Sequence, residues 1–154
     1  MKPPTQILYE LWLEARTRFS KQLATMEPDD LKKKLSPSPN SAGFLIRHIG
    51  DVELLFAKNV FGASEIRVTA KTVIAQKDTG EWTDLADLTQ YSNYAFESLK
   101  EIILQQKQED WESMITTKEF GTKTKAEAMG RIVSHTAYHA GQLAIVVKYG
   151  KQMH

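Results

Sequence analysis

The sequence contains no cysteine among its 154 residues. Disulfide bonds, thiolate metal ligands and a cysteine nucleophile are therefore excluded, and a reducing compartment is compatible with this absence. The formal net charge is only +1, so the chain has no strong field to attract nucleic acid or an anionic membrane. No apolar run approaches the roughly 18 residues of a membrane span, and none precedes a small-residue cleavage site. We therefore expect a cytoplasmic protein that has neither nucleic acid nor membrane as a partner.

Several common catalytic motifs are also missing. The chain has no G-x-S-x-G elbow, no G-x-x-x-x-G-K-[ST] loop and no G-x-G-x-x-G, so no motif supports a triad hydrolase or a nucleotide-binding protein. What stands out instead is "VSHTAYHAGQLAIVV", residues 133–147, which places two histidines four residues apart. The H-E-x-x-H motif of zinc proteases is excluded, because Thr136 stands where that motif has glutamate.

The apolar residues that are present recur at three- and four-residue steps in four long segments, which is typical of helices with one buried face. Helices are predicted over residues 5–26, from a cap at Asn40 or Ser41 to Gly62, from a cap at Thr83 or Asp84 to about residue 108, and over 125–149. Together they predict an all-α fold, a four-helix bundle in a single domain spanning 1–154, with a long crossover at residues 63–82 between helices two and three. A brief hairpin or loop is expected before the Thr124–Glu127 capping box, and no internal repeat is evident.

Three of the four histidines fall on predicted core faces. His135 and His139 lie one turn apart on one face of the fourth helix, which allows both imidazoles to bind one ion. His48 lies between Leu45 and Val52 on the apolar face of the second helix. All three histidines lie far enough inside their helices for the rings to meet. We interpret the three as ligands of one metal ion. The alternative is that each is a core histidine hydrogen-bonded to a neighbour; His154 is given no role.

The segments "SAGFLIRHIGDVE" and "HTAYHAGQLAIVVKYG" resemble the DinB family, the damage-inducible, YfiT-like four-helix bundles. The resemblance covers essentially the whole chain. It implies a divalent metal, most often zinc or nickel, held by His48, His135 and His139. It also implies one of two activities: the metal activates a low-molecular-weight thiol for transfer or isomerisation, or the protein is a metal-dependent hydrolase. Homodimers are common in the family, so the resemblance implies a homodimer as well.

Helix geometry suggests helpers for such a site. Gln142 shares the face of His135 and His139 and could bond a metal-bound water or the substrate, or make an ordinary inter-helix hydrogen bond. Asp51 could orient the ring of His48, or form a surface ion pair. Arg131, one turn before His135, could meet an anionic substrate. Trp12 and Tyr91 are candidates to line the cavity, although core packing suits both better.

Two classes of function follow. Three neutral ligands leave a coordination position for water or substrate, which favours a metal-dependent enzyme, a thiol transferase or hydrolase acting on a small-molecule substrate. The alternative is a non-catalytic metal-binding protein that acts in the stress response or binds other proteins, with the histidines holding a structural ion. A fourth protein ligand that closes the site would favour this second class.

Overall fold

Long helices make up most of the protein, as the helical prediction requires. The structure, a computed structural model, describes residues 1–152, so Met153 and His154 lie outside the described residues. Within that range the helices are α1 (Pro4–Thr25), α2 (Ala42–Leu55), the short α3 (Lys71–Ala75), α4 (Leu85–Gln105) and α5 (Lys125–Tyr149). None of the described helices is long and apolar enough to cross a membrane.

The helix starts are set by side-chain caps at predicted positions. Ser41 Oγ accepts a hydrogen bond from the Phe44 N–H, and Asp84 accepts one from the Asp87 N–H. Thr124 and Glu127 form the predicted capping box at the start of α5. At the other end of α2 a π-helical turn (Phe56–Val60) follows, and Gly62, at φ +87°, ends it in the left-handed conformation.

Two small antiparallel sheets join the helices in the described range. The predicted hairpin is present as β2 (Met114–Thr117) paired with β3 (Gly121–Thr124). The other sheet, β1 (Lys33–Lys34) with β4 (Lys151–Gln152), corrects the all-α prediction. Strands of two residues have no periodicity to detect, and their pairing joins distant parts of the chain. The third predicted helix also ends earlier than expected, because Gln106 adopts an extended backbone conformation; a separate 3-10 turn (Gln108–Glu112) follows.

The two halves of the chain share one order of elements, although the residues show no repeat. In each half a long helix is followed by a 3-10 turn in which an aspartate accepts a backbone hydrogen bond three residues back: Asp30 from Glu27 N–H and Asp110 from Lys107 N–H. Strand structure comes next, one strand (β1) in the first half and two (β2 and β3) in the second, and then a Ser- or Thr-capped helix. In this order α1 corresponds to α4 and α2 corresponds to α5. The packing has the same symmetry, since α1 packs along α5 and α4 packs along α2. The equivalent helices α2 and α5 also face each other.

The core consists of two apolar clusters, and α1 contributes to both. A buried ion pair between α1 and α2 lies along the same stretch of α1. Along α1, Trp12 belongs to one cluster and Phe19 to the other. Between them in sequence, Arg16 donates from Nε to Glu53 Oε2 at 2.9 Å and from Nη2 to Ser92. Both charged side chains are almost completely shielded from solvent. These bonds tie α1, α2 and α4 together, and periodicity alone gave no sign of them.

Candidate metal centre

The three predicted histidines lie together between α2 and α5. Their candidate ligand nitrogens all lie within 4.8 Å of one another. The Nε2 atoms of His48 and His135 are 3.2 Å apart, and the ring of His139 stands edge-on to both others. Each ring is half-buried. The structure therefore brings together the residues that the sequence singled out, from two helices that belong to different halves of the chain.

The surroundings keep all three imidazoles neutral. Burial, followed by the charge of His139, lowers the pKa of His48 to about 4, while Asp51 acts in the opposite direction. Burial lowers the pKa of His135 to about 3, with His139, His48 and Arg131 adding to the effect. Burial also lowers the pKa of His139, and its bond to Gln142 opposes that change. Neutral imidazole is the form that binds metal ions, so all three side chains are ready to bind a metal ion at pH 7.

Each ring has a different environment on its outer side. His48 Nδ1 lies 3.0 Å from Thr72 Oγ1, and His139 Nδ1 donates to Gln142 Oε1 at 2.7 Å. His135 Nδ1 is buried and has no hydrogen-bond partner within residues 1–152. Phe44 stacks on the ring of His48 with nearly parallel planes. The outer nitrogens of His48 and His139 are thus anchored, which leaves their Nε2 atoms for the space between the helices.

This arrangement fits a divalent metal ion. Two nitrogens that each lie about 2.0–2.1 Å from one ion, at a tetrahedral angle, are about 3.3 Å apart. The 3.2 Å between His48 and His135 is close to that separation. Among the described residues, no carboxylate joins the three histidines as a further ligand. Three neutral nitrogen ligands could therefore hold an ion and leave part of its coordination shell to a small molecule.

Asp51 contributes through an intermediary rather than by touching His48. Its Oδ2 accepts hydrogen bonds from both the N–H and the hydroxyl of Thr72, at 3.1 and 2.7 Å. Its Oδ1 accepts from Arg47 Nε at 2.9 Å and from the Tyr91 hydroxyl. The alternative of an ion pair is also present, with Arg47, but Asp51 itself is buried rather than at the surface. Thr72 was missed by sequence reasoning, since a threonine in a segment without clear periodicity carries no signal of a partner 24 residues away.

The other candidates lie at different distances from the histidines. Arg131 is 47% exposed and pairs with Glu119 at 3.6 Å on the hairpin, on the same helix face as His135. Tyr91 reaches the site only through Asp51, and its hydroxyl remains protonated because burial raises its pKa strongly. Trp12 is fully buried and stacks on Phe96, so core packing is its role.

Two cavities are lined by Gln142 and by the neighbour of Thr72, respectively, and no histidine lines either of them. One of about 160 Å³ adjoins Gln142, the residue that bonds His139, and carries no charged side chain; it is lined by Leu35, Ser38, Asn40, Leu45, Gln142, Ile145 and Val146. The other, of about 400 Å³, lies against the hairpin and includes Val73, the neighbour of Thr72, together with Lys118 and Glu119. The first cavity therefore offers room for a small organic group beside Gln142.

Solved structures share this fold. The chain aligns with a crystal structure of a histidine-to-alanine mutant of the mycothiol-dependent maleylpyruvate isomerase at a TM-score of 0.66 and 15% identity. The alignment covers 93% of this chain but only 63% of that one, so this chain spans less than two thirds of that protein. A conserved protein from Enterococcus faecalis aligns at a TM-score of 0.64 and 16% identity, covering 96% of this chain and 97% of that one.

The sequence itself also matches a known family. No curated protein matches the chain. The family model of the DinB superfamily, however, matches residues 11–143, a span that includes His48, His135 and His139. This match covers most of the chain and agrees with the resemblance of the two histidine segments. The protein belongs to the DinB superfamily.

Proposed function

We propose that this protein is a metal-dependent enzyme that uses a divalent ion, zinc or nickel, held by His48, His135 and His139. The ion would activate a low-molecular-weight thiol for transfer to a small molecule, or water for hydrolysis of a small molecule. The observation that carries the proposal is the convergence of three neutral imidazoles without a fourth ligand among the described residues. Imidazole donors suit zinc and nickel among the common divalent metals.

An open coordination shell favours catalysis over a purely structural role. A divalent ion with three neutral protein ligands lowers the pKa of a thiol or water that occupies its remaining position, which supplies a nucleophile at neutral pH. The chain has no cysteine of its own, so a thiol nucleophile must come from a cofactor. The likeness to a mycothiol-dependent isomerase supports the thiol branch of the proposal over the hydrolytic one.

The chain's own residues would bind and orient the substrate. Gln142 uses its Oε1 to hold His139, which leaves its NH₂ group to donate to a substrate carbonyl or carboxylate. The uncharged cavity beside it accepts an apolar group the size of a small ring, since cavities of about 150 Å³ accommodate benzene. Arg131, paired with Glu119, lies on the other side of His135 and would meet a negative charge on the thiol cofactor or substrate.

The first test is metal binding, with a readout that does not require the substrate. The metal-free protein is reconstituted with zinc and nickel in turn, and bound metal is measured for the wild type, His48→Ala, His139→Ala and the control Ser134→Ala. Ser134 is exposed on the same helix and bonds only its own helix backbone. We expect about one ion per chain in the wild type and the control and a strong loss in both histidine variants. Full occupancy in His48→Ala would contradict a centre shared by the two helices.

The second test separates an enzyme from a non-catalytic metal protein. The nickel-loaded protein is titrated with mycothiol, bacillithiol, glutathione and coenzyme A, and thiolate-to-nickel charge-transfer absorption is recorded. We expect at least one thiol to produce this absorption, and we expect the zinc-loaded protein to accelerate its consumption by an electrophile. A nickel-loaded protein that shows no thiol contact and no metal-dependent hydrolysis of esters or amides would favour the non-catalytic metal-binding alternative.

A further inference from the structure

We propose that Thr72, in the crossover helix α3, is a positioning residue that holds His48 in the tautomer with its proton on Nδ1, and that Asp51 fixes the direction of this hydrogen bond. The tautomer is a property of the metal-free chain. Its benefit for metal affinity rests on the proposed function.

The inference begins at Asp51, because a carboxylate can only accept hydrogen bonds. Asp51 is completely buried, and each of its oxygens receives two donors: Arg47 Nε and the Tyr91 hydroxyl on Oδ1, and the N–H and hydroxyl of Thr72 on Oδ2. The Arg47 guanidinium provides a positive charge beside it. The single hydroxyl proton of Thr72 is therefore directed at Asp51, at an oxygen–oxygen distance of 2.7 Å.

The direction of the next bond follows from that proton. A hydroxyl has one hydrogen, so Thr72 Oγ1, having donated to Asp51, can only accept from His48 Nδ1 at 3.0 Å. A neutral imidazole carries one proton, and His48 therefore has a bare Nε2. This Nε2 faces His135 Nε2 at 3.2 Å. The lone pair of His48 thus points into the candidate centre before any ion binds.

The other two rings are held less firmly. His139 Nδ1 bonds the neutral amide of Gln142, which can rotate and offer its NH₂ group instead. His135 Nδ1 has no partner among the described residues. Among these hydrogen bonds of the described residues, only the series from His48 through Thr72 ends on a buried charge, the Asp51 carboxylate. Asp51 also accepts a hydrogen bond from the Thr72 N–H, so two bonds anchor α3 to α2. A segment 24 residues from His48 is thereby part of the centre.

The experiment measures the tautomer of His48 directly in metal-free protein. Histidine ¹⁵N-labelled protein is treated with a chelator, and long-range ¹H–¹⁵N correlations at pH 7.5 report which nitrogen carries the proton. We expect a protonated Nδ1 and a bare Nε2 in the wild type and in Thr72→Ser, which keeps the hydroxyl. In Thr72→Val, an isosteric change that removes it, we expect the Nε2-protonated form to become populated. A wild-type His48 protonated on Nε2 would overturn the proposal without any variant.

Metal affinity provides the second readout. Loss of such an outer hydrogen bond typically weakens metal binding 10–100-fold, so we expect about that loss for zinc in Thr72→Val and recovery in Thr72→Ser. Thr69→Val, an exposed threonine on the same connection, is the matched control and should bind like the wild type. Unchanged tautomer and affinity in Thr72→Val would contradict the positioning role. A wild type that shows the expected tautomer but binds neither zinc nor nickel would instead contradict the proposed function and leave the tautomer assignment standing.

Discussion

His48 and His135, 87 positions apart in sequence, face each other through their Nε2 atoms at 3.2 Å. In a metal-free protein two such nitrogens gain little from each other beyond one weak hydrogen bond. The buried Nδ1 of His135 adds an unsatisfied polar atom, which costs on the order of 1–3 kcal/mol. A cation between the two Nε2 atoms would replace that weak hydrogen bond by a coordinate bond to each ring, and this gain, rather than any relief of Nδ1, would favour metal binding.

We expect the metal-free protein to remain folded at pH 7.5. The two apolar clusters are complete without an ion, and the ligands come from only two helices. Zinc should raise the melting temperature by an amount that grows with free metal concentration, as ligand linkage requires. Circular dichroism melting of the chelated and zinc-loaded protein tests this expectation. An unfolded metal-free protein would make the ion structural.

Acid should destabilise the metal-free protein through the histidines. The folded pKa values of about 4 for His48 and about 3 for His135 lie below the unfolded value of about 6.5, so the folded state binds fewer protons. Stability is therefore fully present above about pH 6.5 and is lost as pH falls through the folded pKa values. The slope approaches about 1.4 kcal/mol per pH unit for each histidine. Urea denaturation between pH 7.5 and 4.5 measures it.

A single variant isolates this contribution from that of the carboxylates. His135→Gln removes one titrating ring, so its free energy of unfolding should depend less steeply on pH over the same range. The difference between the two curves belongs to His135. Parallel curves for the wild type and His135→Gln would show that His135 titrates normally in the folded protein.

The buried pair Arg16–Glu53 should be the most sensitive ion pair in the described chain. Arg16→Leu leaves Glu53 buried without its cation, which should cost about 3–5 kcal/mol of unfolding free energy. Burial already raises the pKa of Glu53, so the unpaired acid would take up a proton. Glu53→Gln should cost a similar amount, because Arg16 keeps its bonds to Ser92 but its buried guanidinium cannot lose its charge.

A surface pair provides the comparison for that measurement. Lys2 and Glu10 are bonded at 2.7 Å but are exposed, so Lys2→Leu should change stability far less than Arg16→Leu. Equal effects of Lys2→Leu and Arg16→Leu in urea denaturation would contradict the importance of burial.

Two glycines should respond to alanine in opposite ways. A Cβ at Gly43 would lie 1.9 Å from the Trp82 carbonyl oxygen, so Gly43→Ala must displace the backbone that follows α3 and should destabilise strongly. Gly141, two residues after His139, has nothing within 4 Å of such a Cβ. Gly141→Ala should therefore stabilise α5 by about 1 kcal/mol and leave metal affinity unchanged. Thermal melting and zinc titration check both variants.

The sequence predicted the parts of the molecule that depend on local pattern. Helical periodicity placed the long helices, and short-range hydrogen-bond chemistry placed the caps at Ser41, Asp84 and Thr124. The three histidines could be recognised because two lie one turn apart and all lie on apolar faces. Thr72 could not, because its partners Asp51 and His48 lie on another element and only the path of the connecting segment brings them together. The Arg16–Glu53 pair and the β1–β4 sheet were hidden for the same reason.

The shared order of elements in the two halves has a thermodynamic consequence. The first half supplies His48 and the second supplies His135 and His139, so neither half holds all three ligands. Ion binding and association of the halves are therefore reciprocal: each strengthens the other by the same factor. A bound ion would act as a reversible cross-link between α2 and α5. Any motion that parts these two helices would release the ion, and any ion that stays bound would resist that motion.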